Sequence, residues 1–240
     1  MKKIITMFLS FILLAPTTFA SFSDVPQTHH LYKSITWLEN AGVVEGYYDG
    51  TFRPDADVNR VEFLKMLFET MQQDSYHTVL KLFPDVPRGE WYTKYVEEAI
   101  TSQIVDGYPD GTFRPDNPIN FAEAVKIVTN AFFDVDKLYG TGANYYACNT
   151  VGLDEYPSVD TDQWYWKYLH VADELCILNF DSTANIWETK SHRDVFGMID
   201  YDPATELSRG DMAEFLYRAL VIRDNELDKY ESSYIPTVTE

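Results

Sequence analysis

Basic side chains are scarce in this 240-residue chain: 19 lysines and arginines stand against 38 aspartates and glutamates, a formal net charge of −19. A field of that sign repels nucleic acid and anionic membrane, so neither is an expected partner. Histidine is scarce too. His29, His30, His77, His170 and His192 show no metal-ligand spacing. There is no nucleophile elbow, no His-Glu-x-x-His and no P-loop, so nothing marks an enzyme. Paired carboxylates could hydrolyse a glycoside, but the acids that stand out fall at caps, turns and motif starts. Glu188, Asp194 and Asp200 follow no pattern. "DVDKLYGTGAN", Asp134–Asn144, lacks the spacing of a calcium loop. No cofactor or metal is expected.

Long apolar runs are also missing, with one short exception. "MKKIITMFLSFILLAPTTFA" has two lysines, an apolar stretch and a small-residue cleavage site. Residues 1–20 read as a secretory signal peptide of bacterial type. No cysteine follows the cleavage site, which argues against a lipid anchor. No later segment approaches ~20 uninterrupted apolar residues, so no membrane span is expected.

Cysteine is down to two, Cys148 and Cys176. In an exported chain this pair points to one disulfide. Its loop of about 28 residues would contribute about 3 kcal/mol.

What the chain does have is a repeat. "GYYDGTFRP" at Gly46–Pro54 returns as "GYPDGTFRP" at Gly107–Pro115, 61 residues on. "FSDVP" at Phe22–Pro26 returns as "FPDVP" at Phe83–Pro87, and "NRVEF" at Asn59–Phe63 as "NFAEA" at Asn120–Ala124, at the same offset. A third copy is weaker. "YPSVDTDQWYWKY" at Tyr156–Tyr168 and "YDPATELSRGDMAEFLYRAL" at Tyr201–Leu220 match the second copy at offsets of 73 and 88 residues. The difference is a 15-residue insertion near 181–200, and the DGTFRP loop is lost. The reading is therefore repeats at 21–72, 83–133 and 156–221, a linker at 134–155, and a C-terminal tail at 222–240, whose last ten residues, "ESSYIPTVTE", read as disordered or as a linker stub.

Each copy reads as helix, loop, helix. Leu31, Ile35, Leu38 and Ala41 fall at helical spacing, as do Tyr92, Val96 and Ala99, then Tyr165, Tyr168, Ala172 and Leu175. Gly46 and Gly107 read as stops for the first helices. Asp49-Gly50 and Asp110-Gly111 are turn dipeptides. The second helices carry Phe63, Leu67 and Met71, then Val125, Val128 and Phe132, then Met212, Phe215 and Ala219. The fold class is all-α, mainly helical with long loops. A turn required once per repeat accounts for the glycines, aspartates and prolines of the nonapeptide. It leaves Arg53 and Arg114 unexplained.

The second helices begin "NRVE", "NFAE" and "SRGD", with capping-box residues at the outer positions. Arg60 and Arg209, in second position, oppose the helix dipole by about a few tenths of a kcal/mol. Two readings stay open: each meets an external anion, or each pairs with a neighbouring carboxylate.

Phe-x-Asp-Val, an aromatic-rich first helix, "GYPDGTFRP" and "NRVE" together resemble the S-layer homology family, over nearly all of the chain after residue 20. The resemblance implies three helix-loop-helix repeats forming one pseudo-threefold domain. It implies a secreted protein at the cell wall or surface layer. Its partner would be a secondary cell-wall polysaccharide, often pyruvylated, or peptidoglycan, bound in grooves between repeats. Carried over residue by residue, Arg60 and Arg209 would meet an acidic group of the glycan. Trp91 and Trp164 would form apolar walls, Asp24 and Asp85 polar support. Gly50 and Gly111 would let the backbone approach closely. The chain departs from the family pattern at Phe121 in place of the arginine, at His30 in place of the tryptophan, and at Ser158 in place of the aspartate. Because a groove draws on two repeats, Arg60 with Trp91 is one candidate pairing. The alternative is an accessory surface-layer subunit that contacts other surface-layer proteins through the insertion and Leu138–Asp154.

Overall fold

In a computed structural model of the chain, residues 22–73, 76–79, 81–140, 162–178 and 203–237 are described. Their helices are α1 (Tyr32–Asn40), α2 (Arg60–Thr70), α3 (Thr93–Thr101), α4 (Phe121–Phe132), α5 (Val135–Gly140), α6 (Trp166–Glu174) and α7 (Arg209–Asp224). Among the described residues there is no strand longer than a single bridging pair, so the fold is all-α. The expected signal peptide and the insertion at 181–200 lie outside the described residues.

The three second helices start on the expected caps. Asn59, Asn120 and Ser208 each accept from the backbone N–H three residues on, and Glu62, Glu123 and Asp211 reach back to the cap. The first helices end differently from expectation. They stop at Asn40, Thr101 and Glu174, well before Gly46 and Gly107. Val43, Ile104 and Ile177 each donate back to the helix, to Leu38, Ala99 and Ala172. Gly42, Gln103 and Cys176 take left-handed φ of 72°, 56° and 58°. This is the Schellman arrangement, and it satisfies the last carbonyls of each helix.

Gly46 and Gly107 have a packing role instead. A Cβ at Gly46 would lie 2.4 Å from the Phe22 ring, and one at Gly107 would lie 2.2 Å from the Phe83 ring. The loop can cross these rings only without a side chain. Asp24 clasps the same loop, accepting from the N–H groups of Phe52 and Arg53 at 2.8 and 2.7 Å. Asp85 does the same for Phe113 and Arg114. Arg53 and Arg114 are now accounted for. Each sits at left-handed φ, pairs with Asp49 or Asp110 at 3.0 or 2.8 Å, and lies over Tyr47 or Tyr108.

The orphan N–H groups at the start of each second helix join the repeats into a ring. Arg60 and Val61 donate to Asn117 and Pro115. Phe121 and Ala122 donate to Thr205 and Pro203. Arg209 and Gly210 donate to Ala56 and Pro54. Two residues before each of these helix starts the ring closes on itself: Val58 donates to Leu207, Leu207 to Ile119, and Ile119 to Val58. All three side chains are buried. Around this hub α7 packs on both α2 and α4, and every residue from Gly210 to Ile222 is buried. The first helices lie outside, with α3 on α2, α6 on α4 and α1 on α7.

Two segments differ from expectation. The linker holds α5, started by Asp134, whose carboxylate accepts from Lys137 N–H at 3.1 Å, and α5 packs on α6. The tail is not loose through residue 237. Tyr230 N–H donates to the Leu175 carbonyl at 2.8 Å, and Lys33 Nζ to the Ser232 carbonyl at 2.7 Å. The tail therefore straps the end of α6 to α1.

Candidate functional site: two grooves at the repeat junctions

The ring order decides which side chains meet. The second helix of one repeat sends its first residue against the loop of the next. That loop is faced from the other side by the tryptophan two residues ahead of the first helix of the repeat beyond. Arg60 therefore enters the groove beside the second loop, opposite Trp164, and not a groove with Trp91. Arg209 enters the groove beside the first loop, opposite Trp91. The Arg60–Trp91 pairing expected from adjacency along the chain is overturned by this cyclic reach.

The Arg209 groove holds about 300 Å3 between Val43–Tyr47, the α2 residues Glu62, Lys65 and Met66, Trp91 and Arg209. The Arg60 groove holds about 380 Å3 and is built from the matching residues, among them Gly107, Tyr108, Glu123, Lys126 and Trp164. Trp91 and Trp164 are 53% and 54% exposed, unusual for so large an apolar side chain with a core available. Each presents a broad apolar face beside a cation.

Among the described residues, only one of the two arginines pairs with a neighbouring carboxylate. Arg60 is 4% exposed. Its Nε donates to the Phe113 carbonyl at 2.9 Å, and its Nη1 pairs with Glu123 Oε2 at 3.0 Å. Tyr108 donates its hydroxyl to Glu123 Oε1 at 2.5 Å, and burial followed by this bond pushes the phenol up to about 12. Lys126 pairs with Asp106 at 2.6 Å. Arg209 is only partly buried and bonds to neutral carbonyls, Phe52 at 3.1 Å and Glu45 at 3.4 Å. Neither Arg209 nor Lys65 has an ion-pair partner among the described residues.

At the third junction, Phe121 holds the arginine position and packs edge-on to Phe215, 6.0 Å between centroids. His30 holds the tryptophan position by repeat offset. Two of the expected departures, Phe121 and His30, thus belong to one junction. Ser158 lies outside the described residues.

Asp24, Asp85, Gly50 and Gly111 are absent from the lining of both grooves. The aspartates brace the loops from behind. Gly50 and Gly111 make turns at φ of 78° and 82°, with open space where a Cβ would stand. The close approach falls to Gly46 and Gly107. Lys65 and Lys126 were not singled out in the sequence, although they recur at the 61-residue offset, one helical turn from Glu62 and Glu123. Cys176 is buried and disulfide-bonded, and Cys148 lies outside the described residues. No group of three or more metal-ligating side chains occurs among the described residues. None of their helices is long and apolar enough to cross a membrane.

The repeats themselves are matched among known proteins. The S-layer homology domain model matches residues 21–64 and 82–125. These two segments are S-layer homology repeats, and the similar proteins are proteins of the bacterial cell wall and surface. It is 30% identical over 115 residues to the cellulosome-anchoring protein of Acetivibrio thermocellus, covering 46% of this chain and 26% of that one. It is 28% identical over 211 residues to the middle cell wall protein of Brevibacillus brevis, covering 83% of this chain and 18% of that one. It is 29% identical over 119 residues to cell surface glycoprotein 1 of A. thermocellus, covering 46% and 5%. The chain thus spans no more than 26% of the length of these relatives.

Proposed function

We propose that this chain holds a surface protein non-covalently on the cell wall by binding an acidic wall glycan in its junction grooves. The observation that carries the reading is Arg209, without a carboxylate partner among the described residues, facing a half-exposed Trp91 across one groove. On a chain of net charge −19, long-range attraction cannot recruit an anion. Short-range charge-assisted bonds, about 1.5–3 kcal/mol each, must do it. Stacking of sugar faces on tryptophan adds apolar contact. Weak sites suffice where many copies sit on one polymer.

The closed ring through Val58, Ile119 and Leu207 supports a third, degenerate repeat, whose junction works as scaffold. A Cys148–Cys176 bridge completes the proposal for that repeat. The chain's own part is adhesion and not catalysis. An exoglucanase, XynX of A. thermocellus, is among the similar proteins, at 31% identity over 101 residues and 9% of its own length. The test is sedimentation of the exported chain with purified wall sacculi before and after acid removal of the secondary polymer. Co-sedimentation lost with the polymer supports the proposal, and equal binding to both preparations refutes it.

A further inference from the structure

We infer that the two grooves differ in the charge they accept: the Arg209 groove takes an anionic sugar, and the Arg60 groove takes an uncharged one. The inference rests on the glycan-binding reading and assigns it a division of labour. Both grooves hold two cations and two carboxylates, so formal charge does not separate them. The pairing does. In the Arg60 groove the arginine is held by Glu123 at 3.0 Å and the lysine by Asp106 at 2.6 Å. Tyr108 fixes the other oxygen of Glu123. An incoming carboxylate would have to displace Glu123 or lie beside it, like charge against like in a part-buried site. A neutral sugar meets no such barrier. It finds the Trp164 face and an ion pair whose outer edges can share hydrogen bonds with hydroxyls.

In the Arg209 groove the guanidinium lies over the Tyr47 and Phe52 rings and hydrogen-bonds only to carbonyl oxygens, and the Lys65 ammonium is not taken by Glu45 or Glu62. Glu62 serves its cap, accepting from Asn59 N–H at 3.2 Å. The guanidinium therefore presents N–H donors in a planar fork that suits a carboxylate. The specificity-determining contacts are those of Glu123 with Tyr108 and of Asp106 with Lys126, which have no closed counterparts in the other groove.

The test is calorimetric titration of the exported chain with two probes. One is a methyl glycoside of an N-acetylhexosamine bearing a 4,6-pyruvyl ketal, and the other is the same glycoside without the ketal. The ketal probe is expected at one site per chain, with affinity falling at least tenfold in Arg209→Ala. Glu123→Gln keeps a capping residue that the box accepts, frees Arg60, and is expected to raise the count to two. Two equivalent ketal sites in the wild type overturn the inference and leave the glycan reading standing. So does unchanged ketal binding in Arg209→Ala, or a count of one in Glu123→Gln. Silence with both probes removes the glycan reading and the inference together.

Discussion

Arg60 and Glu123 lie 3.0 Å apart across a repeat junction, and each is the partner that a single repeat cannot supply to the other. Glu123 caps its own helix and holds the neighbour's arginine with the same carboxylate. One residue thus serves helix initiation, ring closure and groove electrostatics. The equivalent pair, Arg209 and Glu62, stays unjoined. The grooves share a frame and differ in this contact and in the bonds of Tyr108 to Glu123 and Lys126 to Asp106 that accompany it.

Gly46→Ala is expected to destabilise the fold by about 1–3 kcal/mol, because the new methyl meets the Phe22 ring and must displace it. The urea midpoint reads this directly. An unchanged midpoint would show that the ring and loop can part without cost.

The pH dependence has a definite sign. Burial pushes the Asp211 carboxyl up to about 6 and that of Glu174 up to about 7. The folded state therefore keeps protons that the unfolded chain releases above about pH 4. Their stabilising contribution is full below about pH 4. It is lost as pH rises to about 6 for Asp211 and about 7 for Glu174. Asp49 acts in the opposite sense. The Thr51 hydroxyl and Arg53 hold it down to about 2, so its contribution is lost as pH falls from about 4 to about 2. Denaturation midpoints should decline from pH 4.5 to 7.5. Asp211→Asn, which keeps the cap, should flatten the lower half of that decline. A rise over the same range would contradict the assignment.

Ending the chain after Lys229 removes the strap on Leu175 and Lys33. The lost hydrogen bonds, with the Tyr230 ring beside Arg218, predict a loss on the order of 2 kcal/mol. A melting temperature equal to that of the full chain would make the strap ornamental.

The nonapeptide changes at one position between repeats, Tyr48 against Pro109. Tyr48 is fully exposed next to Tyr47, while Pro109 lines its groove. Tyr48→Pro gives the first loop the sequence of the second, so the fold should be unaffected. Wall affinity should fall roughly threefold to tenfold if the ring stacks on a sugar. Unchanged affinity would leave Tyr48 without a role in binding.

Much of this was legible in the sequence. The 61-residue offset, the helical stripes and the caps at Asn59, Asn120 and Ser208 define the helices before any coordinates. The ring order was not legible, because it lies in backbone bonds such as Val58 to Leu207, which carry no residue signature. Adjacency along the chain therefore paired Arg60 with the wrong tryptophan. The helix ends were misread for a related reason. Only Gly42 advertises the left-handed cap, while Gln103 and Cys176 adopt it under the pull of the same packing. Asp24 and Asp85 were expected as polar support of the grooves from the family resemblance alone. The loop N–H groups that occupy them are 28 and 29 residues away.

The account's central claim is that Arg209 and Trp91 form one site. A double-mutant cycle on binding to wall sacculi tests it most directly, using Arg209→Ala and Trp91→Ala singly and together, with Arg209→Ala plus Trp164→Ala as the control pair. Residues that share a site couple, and separated ones add. The account predicts that the second loss costs little once the first is made in the Arg209–Trp91 pair, and that the control pair is additive. Coupling of Arg209 to Trp164, or additivity with Trp91, would contradict it.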